Sequence, residues 1–124
     1  MYKLAVKKDF IAQHFLIGGD WGSENQEHSH HYQLEIQLKG KSLDNHGFIL
    51  DIVKVNDLLE KLISSFRDRT LNNLPQFDGL NPSIENLARI SFQALKDPIR
   101  ETGIADLKVK VWEDDIAWIT YRED

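Results

Sequence analysis

Tyr32-Gln33-Leu34-Glu35-Ile36-Gln37-Leu38-Lys39 alternates apolar and polar side chains without a fault, every apolar one at an even position. Successive strand residues point to opposite faces, so the run predicts a β-strand with one buried face, stopped by Gly40. Upstream, Tyr2 to Val6 alternates in the same way and predicts a first strand that extends toward Phe15. Downstream the period changes. From Asp51 onward, Ile52, Val55, Leu58, Leu59, Leu62, Ile63 and Phe66 recur at steps of three and four, which draws one apolar stripe along a helix.

A second helix opens at Asn81-Pro82-Ser83, where Asn81 or Ser83 can cap and Pro82 suits the first turn. Its apolar face is Ile84, Leu87, Ala88, Ser91 and Leu95, and Pro98 is expected to end it. Alternation then returns. Leu107, Val109 and Val111 share a face, Glu113-Asp114-Asp115 reads as a turn, and Ile116 to Tyr121 reads as the last strand of a hairpin. The order ββααββ does not suit a doubly wound parallel sheet. It predicts an α+β fold, a four-stranded antiparallel sheet with two helices on one face.

With 124 residues, one domain over 1–124 is expected, and 41% hydrophobic against 28% charged residues is a globular balance. The net charge of -5, with both signs interspersed, leaves no basic stripe for nucleic acid. Charges at Lys3, Lys7 and Lys8 interrupt any secretory leader, and no apolar run approaches the ~20 residues that span a bilayer. The expected location is the cytoplasm, with no membrane partner. The absence of cysteine removes disulfides and thiol nucleophiles, so a metal would have to be held by histidine and carboxylate.

His28 and His30 share the even parity of Leu34, Ile36 and Leu38, so on an early start of that strand both imidazoles converge on one side. His14, on the extension of the first strand, is the natural third ligand if the two strands pair. Three histidines with an open fourth position describe a catalytic zinc site. On spacing alone, Glu27-His28-Ser29-His30-His31 reads equally well as a polar loop of solvated histidines, and His31 and His46 read as surface residues. Glu113 continues the parity of Leu107, Val109 and Val111. It either sits in water at the sheet end or accepts paired hydrogen bonds from a planar N–H edge. Ser83 is accounted for as a cap, and core packing is the default for Trp21, Trp112 and Trp118.

Taken together, the chain from Phe10 to Tyr121 resembles the 6-pyruvoyl-tetrahydropterin synthase and 6-carboxy-tetrahydropterin synthase family. Phe10-Ile11-Ala12-Gln13-His14-Phe15-Leu16 resembles the segment with the family's first zinc histidine, and His28-Ser29-His30-His31-Tyr32 resembles its His-Gly-His-Asn-Tyr segment. Gly47-Phe48-Ile49-Leu50-Asp51, Asn81-Pro82-Ser83-Ile84-Glu85-Asn86-Leu87-Ala88 and Val109-Lys110-Val111-Trp112-Glu113 resemble three further family segments. The resemblance implies the tunnelling fold, a homo-hexamer of two stacked trimers with active sites between subunits, and a small pterin as substrate. It implies Zn2+ on His14, His28 and His30, with Glu113 anchoring the pterin and Ser83 a secondary contact. Two departures stand out. Glu24 replaces the usual catalytic cysteine, and the proton-relay histidine and its aspartate partner fall on Asp68 and Arg67. A family branch with glutamate for cysteine is proposed to cleave the dihydroneopterin side chain toward folate precursors. The reading implied is a zinc-dependent lyase with Glu24 as base, Glu27 its neighbour and competitor, and Asp68 at the relay position. An inactive zinc- and pterin-binding homologue is the alternative.

Overall fold

The strand announced by the 32–39 alternation is β2 (His28–Gly40), and it lies inside the sheet. The structure, a computed structural model, describes residues 1–123. β1 (Tyr2–His14) pairs antiparallel with β2 along its whole length, from Tyr2 opposite Gly40 to His14 opposite His28. β3 (Asp106–Glu113) lines the other side of β2, and β4 (Ala117–Tyr121) closes the order β1-β2-β3-β4. Every pairing is antiparallel, as the ββααββ order requires.

One face of this sheet carries α1 (Ile52–Ser64), packed on β1, and α2 (Ile84–Arg100), packed on β3 and β4. The even residues of β2 supply the core: Tyr32, Leu34, Ile36 and Leu38 are fully buried, against Val55, Leu59, Ile63, Leu87 and Ile99 from the helices. Burying that many large side chains at about 1.5–3 kcal/mol each dominates the drive to this fold. A slip of one residue in the β2 register would turn all four outward, so the pattern also fixes which side chains share the core face.

Several elements differ from their sequence reading. α2 runs past Pro98 to Arg100. The missing N–H there removes one intrahelical bond in the last turn only, and fully buried Ile99 holds the turn in place. Pro82 lies outside the helix rather than in its first turn, because Ser83 is the cap and accepts from the Asn86 N–H at 3.1 Å. Ile52 opens α1 but is 58% exposed, so the buried stripe of the helix begins at Val55. The tryptophans are not core residues: Trp21 lies over Gly19 in an exposed loop, and Trp118 on the outer edge strand pairs with half-buried Trp112 at 6.1 Å. No helix among the described residues is long and apolar enough to cross a membrane.

Candidate metal centre

Register decides the site. His14 is opposite His28, Ala12 opposite His30, and Tyr32 opposite Glu113, so all of these meet at one end of the sheet on the face that carries the helices. The Nε2 atoms of His14 and His28 are 3.0 Å apart, and those of His28 and His30 also 3.0 Å. The three rings stand edge to face with centroids 4.6 to 4.7 Å apart. Glu24, carried by the 3-10 turn Gly22–Asn25, brings Oε2 to 2.7 Å from His28 Nε2. One ligand atom from each of His14, Glu24, His28 and His30 lies within 4.8 Å of all the others.

The opposite nitrogens bear on what this group could hold. His14 Nδ1 donates to the Pro82 carbonyl at 2.9 Å, His28 Nδ1 donates to the Gln26 carbonyl at 2.7 Å, and His30 Nδ1 is bonded to Asp114 Oδ2. With each Nδ1 proton spent on an acceptor, all three Nε2 atoms present lone pairs to one another. Lone pairs at 3.0 Å repel unless a cation lies between them. A tetrahedral zinc with Zn–N near ~2.0 Å places its ligand nitrogens ~3.3 Å apart, so the donor set suits that ion.

Burial adds to this. His14 is buried, which holds its pKa below the ordinary histidine value and favours the neutral ring. Tyr32 is fully buried with its hydroxyl oxygen 3.2 Å from His14 Nδ1, and burial pushes its pKa above the phenol range. Glu113, half-buried and 3.9 Å from His30 Nε2, has its pKa raised by burial. Burial acts in the same sense on Asp114, but bonds from the His31 N–H and from His30 outweigh it and hold that carboxyl below its ordinary range. The pKa values of these adjacent carboxyls thus shift in opposite directions.

The remaining sequence candidates fall elsewhere. Glu27 bonds to the Thr70 hydroxyl and is not one of the clustered ligands. Asp68, exposed with φ 59, donates its backbone N–H to Ile11 O and is likewise outside the histidine group of its own chain. Arg67 is tied to Glu60 by bonds of 2.9 and 3.2 Å. Ser83 is the α2 cap described above, and His31 pairs with Asp9 at 2.8 Å on the outer face. Asp114 was missed as a partner of the site because turn chemistry accounts for it in sequence. Asn72 was not singled out, and Asn81, read as a possible cap, instead bonds Ile17, since nothing local marks an amide that reaches across the fold.

A four-stranded antiparallel sheet backed by two helices, with three imidazoles and carboxylates gathered at one end, defines a small α+β protein with a histidine–carboxylate centre. The chain belongs to the 6-pyruvoyl tetrahydropterin synthase family, which it matches over residues 3–124. It is 28% identical over 108 residues to the 6-pyruvoyl tetrahydrobiopterin synthase of Dictyostelium discoideum, covering 82% of this chain and 75% of that one. Its fold is that of Caenorhabditis elegans 6-pyruvoyl tetrahydropterin synthase, with a TM-score of 0.86, 22% identity, and 99% and 96% of the two chains covered. It is also similar to a Plasmodium vivax 6-pyruvoyltetrahydropterin synthase in which a catalytic glutamate is replaced by alanine, with a TM-score of 0.75, 14% identity, and 97% and 96% coverage.

Proposed function

We propose that this chain is a zinc-dependent lyase acting on the hydroxylated side chain of a dihydropterin, with dihydroneopterin side-chain cleavage as its reaction. The observation that carries the reading is the convergence of three Nε2 lone pairs with the Glu24 carboxylate at one strand end. His14, His28 and His30 would hold the ion. When bound, it supplies a Lewis acid toward the side-chain hydroxyls and the negative charge that develops on them.

The chain's own groups do the rest. Glu24 stands where the family's cysteine is replaced, and its carboxylate takes the proton from a side-chain hydroxyl. Glu27 is held by Thr70, which favours Glu24 over it as the base. A catalytic glutamate in the Plasmodium vivax relative is consistent with a carboxylate in this part. Glu113 accepts two N–H bonds from the amino-pyrimidine edge of the pterin, a pairing that a half-buried carboxylate strengthens. Ser83 is a secondary contact. Asp68 acts only where a second copy packs against it, in a homo-hexamer whose sites lie between subunits. Loss of the relay histidine favours one other reading, a zinc- and pterin-binding protein without turnover.

Metal content of the purified protein, followed by incubation with dihydroneopterin or its triphosphate and chromatography of the products, tests the proposal. Zinc near one per chain with a new pterin product that Glu24→Gln abolishes is the expected result. Stoichiometric zinc without product selects the binding protein, and absence of any bound metal overturns both.

A further inference from the structure

We propose that Asp114 is a positioning residue of the histidine centre: its carboxylate fixes the proton of the His30 ring on Nδ1 and so makes Nε2 the atom offered to a cation. The inference rests on the zinc reading above. It starts from the end of the β2–β3 ladder, where Tyr32 opposite Glu113 is the last pair. Asp114 leaves the strand with φ 52, and Asp115 follows with φ 57. A left-handed residue turns its carbonyl away from the neighbouring strand, so the His31 N–H would lose the acceptor that a continued ladder provides. The Asp114 side chain replaces it. Oδ1 accepts from His31 N at 2.8 Å, while the Asp114 N–H donates to His31 O at 2.7 Å.

With Oδ1 and the backbone both held by His31, Oδ2 has no freedom left and lies against His30 Nδ1. An ionised carboxylate can only accept, so Nδ1 must carry the proton. The other two ligands use neutral backbone carbonyls for this purpose, Pro82 for His14 and Gln26 for His28. Among the three, only His30 has an anionic partner at Nδ1. That charge raises the basicity of Nε2 and anchors the ring in the one orientation that faces His28. The turn itself does not require this residue, because Asn and Gly take left-handed conformations as readily as Asp.

Two substitutions separate the turn from the ring. Asp114→Asn keeps the left-handed preference and an oxygen for the His31 N–H, but it presents an NH2 to Nδ1. Nδ1 must then accept, which moves the ring proton to Nε2 and caps the lone pair. Asp114→Gly keeps the left-handed conformation but leaves both the ring and the His31 N–H without the carboxylate. Nitrogen NMR of the histidine rings in the zinc-free full chain reads the tautomer, and competition with a chromophoric chelator reads Zn2+ affinity. The expected result is an Nδ1-protonated His30 in the parent, an Nε2-protonated one in Asp114→Asn, and Zn2+ bound about 10–100-fold more weakly by both variants. An Nε2-protonated His30 in the parent chain overturns the proposal whatever the variants do. Parent-like Zn2+ affinity in folded variants overturns it while leaving the zinc centre standing. A parent chain that binds no Zn2+ overturns the zinc centre and this inference with it.

Discussion

A histidine offers a cation only the nitrogen its other partner leaves free, so the second contact of each ring matters as much as its direction. The ring directions were legible in the sequence: the parity of His28 and His30 with Leu34 places them on the core face, and pairing brings His14 opposite His28. The second contacts were not, because Pro82 O and Gln26 O are backbone atoms and Asp114 sits in a turn that explains itself. The same blindness covers Glu60, whose partly exposed carboxylate gathers Lys8 at 2.9 Å and both terminal nitrogens of Arg67. The Arg67 bonds first, then the Lys8 bond, lower its pKa from 4.5 to about 2. A folded-state value below the unfolded one contributes stability above about pH 4.5, and that contribution disappears as pH falls through about 2. Urea midpoints of the parent and Glu60→Gln should therefore differ at neutral pH and converge on acidification, with a small gap because exposed pairs are weak. A gap that widens toward low pH would contradict this account.

At the scale of the elements, α2 shows how far a periodic pattern carries and where it stops. The stripe through Leu87, Ala88, Ser91 and Leu95 is buried as read, yet Ile90, Phe92 and Ile99 are buried as well, because the helix lies against β3 and β4 together. Ser91 belongs to that buried face, and its hydroxyl has no partner among the described residues. Replacing it by alanine removes an unsatisfied polar group and favours the helix, so Ser91→Ala should raise stability by roughly 1 kcal/mol in calorimetry or urea titration. Beyond β1, the chain keeps strand-like satisfaction without a strand. The Asn72 amide pairs with both N and O of Phe15 at 3.0 and 2.9 Å, and Asn81 does the same for Ile17 at 2.7 and 3.0 Å. These two clamps hold the segment leading to Glu24. Asn81→Ala should speed amide exchange at Ile17, and Asn72→Ala at Phe15, while the core of β2 stays protected. Unchanged exchange at both amides would mean that other contacts hold the segment.

The whole molecule leaves two sheet edges open. Residues 68–70 cover β1 only near Ile11 and Gln13, and the outer edge of residues 2–9 has no strand beside it among the described residues. β4 is open along its length, with Trp118 53% exposed and Ile116 beside it 87% exposed. Open apolar edges invite pairing with another chain. Three successive antiparallel pairings make β1 antiparallel to β4, so a head-to-tail ring in which β4 of one copy meets β1 of the next continues the alternation without a break. Two such rings of three would give the expected hexamer. The histidines all come from one chain, so assembly is not required to bring them together, whereas the proposed turnover depends on a pterin cleft between copies. Light scattering should give a mass six times that of the chain for the parent. Trp118→Glu, a charge on the open edge, should reduce that mass while keeping Zn2+ and losing turnover together. A monomeric parent, or a dissociated Trp118→Glu variant with full turnover, would show instead that each chain carries a complete site.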